Sequence, residues 1–366
     1  MLINLRQSLR NFDWVLIILI LVLLAVGLAG IYSVDLTRGA NLEYFPTQFL
    51  ALIIGLFFLL FAGFFHVSFY RSSAKLIYLV SALLLFLVLL FGETIRGTTG
   101  WFVLAGYSFQ PAEFAKIGLI LFLSWWIQRY GRRFEKWQFV FTSGLITLLL
   151  VGLIMLQPDL GSALILISIW FGMLFLTGTK KKYIFGLLLI FLVIFLFSWL
   201  FLFAGYQKDR LMTFMDPERD PLGSGYNVTQ SVIAIGSGQL FGRGLGFGSQ
   251  SQLHFLPEAQ TDFIFAVIAE ELGFIGVVVV LVLYFFIFWR LLDIARQAQD
   301  EFATYMVLGI ILLFFSQILI NLGAAAGFMP VVGVTLPFLS YGGSSLVINL
   351  LLVGVAMSAL QKDLTT

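Results

Sequence analysis

Of the ionisable residues within, or at the margin of, long apolar runs, six could do chemistry: Glu113, Lys116, Asp159, Asp262, Glu270 and Glu271. On insertion scales a charge at membrane depth costs roughly 2.5–3.5 kcal/mol, so such a residue is retained for packing or for chemistry. A carboxylate there can take a proton from a hydroxyl, pair with a cation or relay ions. Glu113 and Lys116, in Gln110-Pro111-Ala112-Glu113-Phe114-Ala115-Lys116, are three apart and share a helix face. They read either as an internal ion pair that fixes packing or as two groups lining a wet cavity. Asp159, in Gln157-Pro158-Asp159-Leu160-Gly161-Ser162, reads as a helix cap or as a carboxylate aimed into the same cavity. Asp262, after Leu256-Pro257-Glu258-Ala259-Gln260-Thr261, carries the same two readings. If the helix that follows already includes Asp262, Glu270 lies about 80° from it and roughly 12 Å deeper, sharing its cavity, while Glu271 turns to another helix. Lys116 alone cannot neutralise Glu113, Glu270 and Glu271, so some of these acids are neutral or reach water.

Between these acids lie Gly236, Gly238, Gly242, Gly244, Gly246 and Gly248. No βαβ unit surrounds them and no Gly-Lys-Ser/Thr ending follows, so they read as flexible turns rather than a phosphate loop. Arg96, Lys208, Arg210 and Arg243 accompany them, and guanidinium groups suit phosphate oxygens. A last irregular segment, 330–345, holds two prolines and three glycines. It reads as a re-entrant turn, tolerated at a membrane only where protein or water covers it. The chain has no cysteine, which removes disulfides, thiolate metal sites and a cysteine nucleophile.

The elements that must position these residues are transmembrane helices. Hydrophobic residues make up 60% of 366 positions and charged residues 11%, against about a quarter charged in globular domains. A helix needs about 20 apolar residues to cross the hydrocarbon. Runs near 14–32, 46–66, 76–92, 112–128, 139–156, 160–177, 184–204, 264–288, 303–323 and 344–361 meet or approach that length. The expected fold is an all-α polytopic membrane protein of about ten spans, a single integral domain over 1–366 with a large outer loop at 205–263.

Placing the N-terminus inside also puts Arg6, Arg10, Arg71, Lys75, Arg129, Arg132, Arg133, Lys136, Lys180, Lys181, Lys182, Arg290, Arg296 and Lys362 inside. Six basic residues fall outside and Lys116 lies within the fourth run. Both termini are therefore expected in the cytoplasm and the acids near the outer face. His66 and His254 then fall on opposite sides and cannot share a zinc ion. A net charge of +2 does not argue for nucleic-acid binding.

The segments 110–116, 157–162, 256–273 and 330–345 resemble, in order, the motifs of the SEDS family (RodA/FtsW/SpoVE type). Ser224-Gly225-Tyr226, Gln230-Ser231 and the glycine-rich stretch add to the likeness, which covers nearly the whole chain. Ser249-Gln250-Ser251-Gln252-Leu253 looks more like the elongation (RodA) branch, while Asn321-Leu322-Gly323-Ala324-Ala325-Ala326-Gly327 looks closer to the division (FtsW) branch. Members often carry an arginine where this chain has Gly100, a departure for which Arg96 is a candidate substitute.

The resemblance implies a peptidoglycan glycosyltransferase of the bacterial inner membrane, acting on its outer side. It would polymerise lipid II alongside a class B penicillin-binding protein, with elongasome or divisome proteins as further partners. Asp262 matches the family's essential aspartate and is the expected general base. Glu113, Lys116, Asp159, Glu258 and Glu270 are expected to support the site. Arg96, Arg210 and Arg243 are expected to meet the pyrophosphate, with Mg2+ or Mn2+ as a candidate cofactor held by carboxylates. A lipid II flippase and a non-catalytic scaffold are the competing readings. The outer clustering of the acids opposes the first, and the second leaves them unexplained.

Overall fold

A computed structural model describes residues 12–36, 42–95, 97–104, 107–130, 134, 136–202, 208, 212–216 and 223–361. Ten helices coincide with the ten apolar runs. They are α1 (Trp14–Leu36), α2 (Tyr44–Phe64), α3 (Val67–Phe91), α4 (Pro111–Tyr130), α5 (Trp137–Met155), α6 (Leu160–Leu176), α7 (Lys181–Phe197, continued by a π-helical turn Ser198–Leu202), α10 (Ile264–Gln297), α11 (Glu301–Ala325) and α12 (Gly343–Ser358). Among the described residues seven helices are long and apolar enough to cross a membrane, and α6 and α12 are shorter apolar helices. The other, α4, has 20 residues but carries Glu113, Lys116 and Arg129. Chain hydrophobicity thus becomes a polytopic helical bundle. Helix α2 packs along α12, α3 along α4, and α10 between α1 and α11.

The bundle has two chemically different ends. At one, Arg290 reaches Asp13 at 2.7 Å, and Asp13 accepts the Leu16 N–H at the start of α1. Arg71 pairs there with Asp300, which caps α11 through the Ala303 N–H at 2.7 Å. Arg129, Lys136, Lys180, Lys181, Lys182 and Arg296 lie at this end too. Helix α3 begins well before the apolar run expected at 76. Arg71 and Lys75 sit on its first turns, laid over the rings of Phe302 and Trp125, so their stems are covered while their charges stay near the surface.

The opposite end collects the irregular structure. A three-stranded antiparallel sheet joins α3 to α4: β1 (Glu93–Ile95), β2 (Thr98–Leu104) and β3 (Tyr107–Phe109). The all-α expectation did not include it. The expected outer loop also contains α8 (Ser224–Ser237) and the short α9 (Ser249–Gln252).

The expected continuous helix after Asp262 is broken at Gly273, which has φ 67° and ψ −165°. An intact helix would bond Phe274 N–H to the Glu270 carbonyl and Ile275 N–H to the Glu271 carbonyl. Instead the glycine-rich stretch occupies all four groups. Arg243 and Gly244 N–H donate to the Glu270 and Glu271 carbonyls at 3.0 and 2.9 Å. Phe274 and Ile275 N–H donate to the Gln239 and Leu240 carbonyls at 2.8 and 3.2 Å. Gly242 (φ 78°) lies so close that a Cβ would meet the Glu271 carbonyl oxygen at 2.1 Å. The expected flexible turns are therefore a fixed stitch through a broken helix.

A side chain at Gly242 would meet both a left-handed backbone and that carbonyl. Gly242→Val should cost at least ~2 kcal/mol and lower the melting temperature in detergent by several degrees. Gly186→Ala, where nothing lies within 4 Å of an added Cβ, should leave melting within a degree or two. Equal melting for both variants would contradict the stitch.

Candidate active site

Residues 256–263 form a tight non-helical turn before α10. Thr261 N–H donates to the Glu258 carbonyl at 3.1 Å and its hydroxyl donates to Glu258 Oε2 at 2.9 Å. His254 and Glu258 have φ of 59° and 52°, left-handed values that cost non-glycine residues about 1–3 kcal/mol each. The N-cap residue of α10 is Phe263, so Asp262 precedes the helix. The helical-wheel relation between Asp262 and Glu270 fails for the same reason.

What holds this turn is a row of donors on three consecutive carbonyls. Tyr341 N–H donates to Gln260 O at 2.8 Å, the Ser340 hydroxyl to Thr261 O at 2.7 Å, and Asn321 Nδ2 to Asp262 O at 3.1 Å. Asn321 Nδ2 also donates to Val334 O at 2.8 Å. Buried Gln48 of α2 fixes the donor segment, giving Nε2 to Ser340 O and accepting the Gly342 N–H. Residues 330–342, buried at Val334 and from Leu336 to Ser340, are thus a brace that together with Asn321 presents Asp262, half-buried, at the end away from the basic ends of the helices. Sequence reasoning missed Gln48 and Ser340. A lone amide in the apolar run of α2 is the signal for the first, since polar groups in such helices face the protein interior.

Glu113 and Lys116 form a buried pair, with Nζ 2.5 Å from Oε1. The ion pair is present, and it leaves the second carboxylate oxygen buried without a partner among the described residues. Asp159 caps α6 through the Ser162 N–H at 2.9 Å and also accepts from Gln110 Nε2 at 3.0 Å, just before α4. The structure therefore brings Asp159 to the start of the helix bearing Glu113 and Lys116. Ser344, at the start of α12, links this group to the brace by donating to Ser108 O and accepting the Gln110 N–H. Gly100 lies where a Cβ would approach Gln157 Oε1 at 3.0 Å, so a side chain there must displace the Gln157 amide.

Glu270 lies apart from the Asp262 turn. Its oxygens accept the Gln250 and Ser251 N–H groups at 2.8 and 3.1 Å, which holds α9 in place. Glu271 faces α1 and accepts the Ser33 hydroxyl at 2.5 Å and Gln252 Nε2 at 3.2 Å. Exposed Arg243 donates to Ser249 Oγ at 3.1 Å beside this cluster. Arg96 and Arg210 lie outside the described residues, and Lys208 lies over the Trp199 ring. A cavity of about 250 Å³ opens beside the turn, lined in part by Val34, Ser251, His254, Glu258 and Gln260. Among the described residues no three carboxylates or histidines converge as a metal cage. The expected Mg2+ or Mn2+ therefore has no ready protein-only ligand set there.

The family described as "Cell cycle protein" (FtsW/RodA/SpoVE) matches residues 12–364. The chain belongs to this family. It is 36% identical to the probable peptidoglycan glycosyltransferase FtsW of Trichlorobacter lovleyi, covering 96% of this chain and 93% of that one. It is 40% identical to the peptidoglycan glycosyltransferase MrdB of Escherichia coli K12 over 79% of this chain and 78% of that one. A chain from a study of polymerization and crosslinking by a peptidoglycan synthase complex superposes with a TM-score of 0.81 at 34% identity, over 95% and 97% of the two chains. The rod shape determining protein RodA of Thermus thermophilus superposes with 0.71 at 31% identity, over 95% and 96%. This FtsW/RodA/SpoVE protein is an integral membrane peptidoglycan glycosyltransferase that polymerises glycan in cell-wall synthesis.

Removing one member of the buried pair leaves the other charge uncompensated, a loss of about 3–5 kcal/mol. Glu113→Met and Lys116→Met should each lower the melting temperature, and the double variant should recover most of the loss. Additive losses would show that the two charges do not depend on each other.

Proposed function

We propose that the protein elongates glycan strands at the outer face of the bacterial inner membrane, with lipid II as donor and Asp262 as general base. The half-buried carboxyl sits on a turn that is braced on three successive carbonyls, and that geometry is what supports the reading. Asp262 takes the proton from the acceptor's GlcNAc 4-hydroxyl as that oxygen attacks the donor's anomeric carbon. The bond from that carbon to phosphate breaks, and undecaprenyl pyrophosphate departs with the electron pair. A single displacement at an α-linked donor inverts to a β-1,4 linkage without a covalent enzyme intermediate. A pyrophosphate leaving group needs charge neutralisation rather than protonation, unlike the sugar leaving group of a glycosidase.

Arg243 supplies positive charge on this side, and Lys116 serves within the bundle beside Glu113; Arg96 and Arg210, outside the described residues, keep the pyrophosphate role that the sequence suggests. Asp159, Glu258 and Glu270 support the site by holding α6, the Asp262 turn and α9. The wealth of Lys and Arg at the opposite end favours placing that end in the cytoplasm. A class B penicillin-binding protein is the proposed partner, in an elongasome or divisome. The solved relative from a peptidoglycan synthase complex supports a partnership of that kind.

The test is polymerisation of labelled lipid II by the purified protein with its class B penicillin-binding protein. Asp262→Asn should lose polymer by at least 100-fold while melting as the wild type does. Polymer at the wild-type rate from Asp262→Asn would remove Asp262 as base. No polymer from the folded wild-type complex would favour a transporter or scaffold.

A further inference from the structure

We propose that Asn321 is a positioning residue for the transfer, acting through Asp262; this rests on the base reading above. Asn321 lies on α11, 59 residues from Asp262 in sequence, and is buried. Both hydrogens of its amide are used: one holds the Asp262 carbonyl at 3.1 Å and the other holds the Val334 carbonyl at 2.8 Å. Its Oδ1 is buried with no partner among the described residues. A buried amide with an idle oxygen is kept for its two donors, because an apolar side chain would otherwise pack there without that penalty. The orientation is also fixed: a flipped amide would set its oxygen against two carbonyl oxygens.

The contact differs in kind from those of the brace. Ser340 and Tyr341 hold the carbonyls of Thr261 and Gln260, whereas Asn321 holds the backbone of the proposed base itself. The same side chain ties that residue to Val334 in the brace, so α11, the brace and the Asp262 turn meet at one amide. The Asp262 side chain starts one bond from the backbone that Asn321 pins. Loss of the donor lets the carboxyl drift from the acceptor hydroxyl, and a displacement of about 1 Å can cost about 100-fold in rate.

The experiment measures kcat and KM for lipid II in the protein–partner complex, with melting temperature on the same samples, for wild type, Asn321→Leu, Asp262→Asn and the double variant. Asn321→Leu should lower kcat about 10- to 100-fold with KM within about twofold, and lower the melting temperature by a few degrees because two buried carbonyls lose their donor. The double variant should be no slower than Asp262→Asn alone, because a positioning residue has nothing left to position. An unchanged kcat in folded Asn321→Leu overturns the proposal. So does a fall in kcat matched by a rise in KM, which marks general loosening of the site. A wild-type rate from Asp262→Asn removes the base reading and this proposal with it. Should Asn321→Leu fail to fold, Asn321→Ala, which removes the same two donors and leaves room for a water on the freed carbonyls, carries the same test by the same criteria.

Discussion

In a bundle surrounded by hydrocarbon a backbone amide cannot be left bare, and α10 violates that rule at Gly273 unless something fills the gap. The stretch 239–244 fills it, pairing the two carbonyls and two N–H groups that the break sets free. Each such group left unpaired would cost roughly 1–3 kcal/mol. The architecture at the acidic end depends on this repair. It lets the helix pause where Glu270 and Glu271 stand, and it turns a glycine-rich loop into structure. Glu270 in turn holds α9, and α9 leads directly into the turn that presents Asp262.

The second irregular piece, residues 330–342, obeys the same accounting. It has no regular ladder of its own, so its donors are available to another segment, and they go to Gln260 and Thr261, while Asn321 of α11 serves Asp262. Two non-helical segments at the same end satisfy each other's backbone. A carboxyl carried on such a turn is more rigid than a loop residue and, unlike one on a helix face, is not confined to the lipid or protein side of a cylinder. That is a suitable mount for the proposed base, which on the proposed function must meet a large lipid-linked donor.

Much of this was legible in the residues. Ten apolar runs marked the ten helices, and the acids at membrane depth marked the end where structure becomes irregular. Pro111 and Asp159 marked helix starts at 111 and 160. The break at Gly273 was not legible, because an isolated glycine in an apolar helix is usually tolerated and the stitch comes from about thirty residues upstream. The brace was missed for the same reason: Gln48 and Ser340 meet across 292 residues, beyond any local pattern. The small sheet could have been read from Thr98, Thr99, Trp101, Phe102 and Val103, a β-branched and aromatic run after Gly97.

The chemical asymmetry of the two ends separates a one-sided polymerase from a carrier that works on both faces. Basic residues line one end, and the braced turn, the stitch and the sheet occupy the other. The account holds only if the second end faces away from the cytoplasm. The absence of cysteine makes this directly measurable. Thr94→Cys, in the exposed β1–β2 hairpin, and Lys136→Cys, at the start of α5, would be exposed in spheroplasts to a membrane-impermeant maleimide. The account predicts that Thr94→Cys is labelled in intact spheroplasts and Lys136→Cys only after permeabilisation. The reverse pattern would place the carboxylate end in the cytoplasm and contradict glycan polymerisation at the outer face.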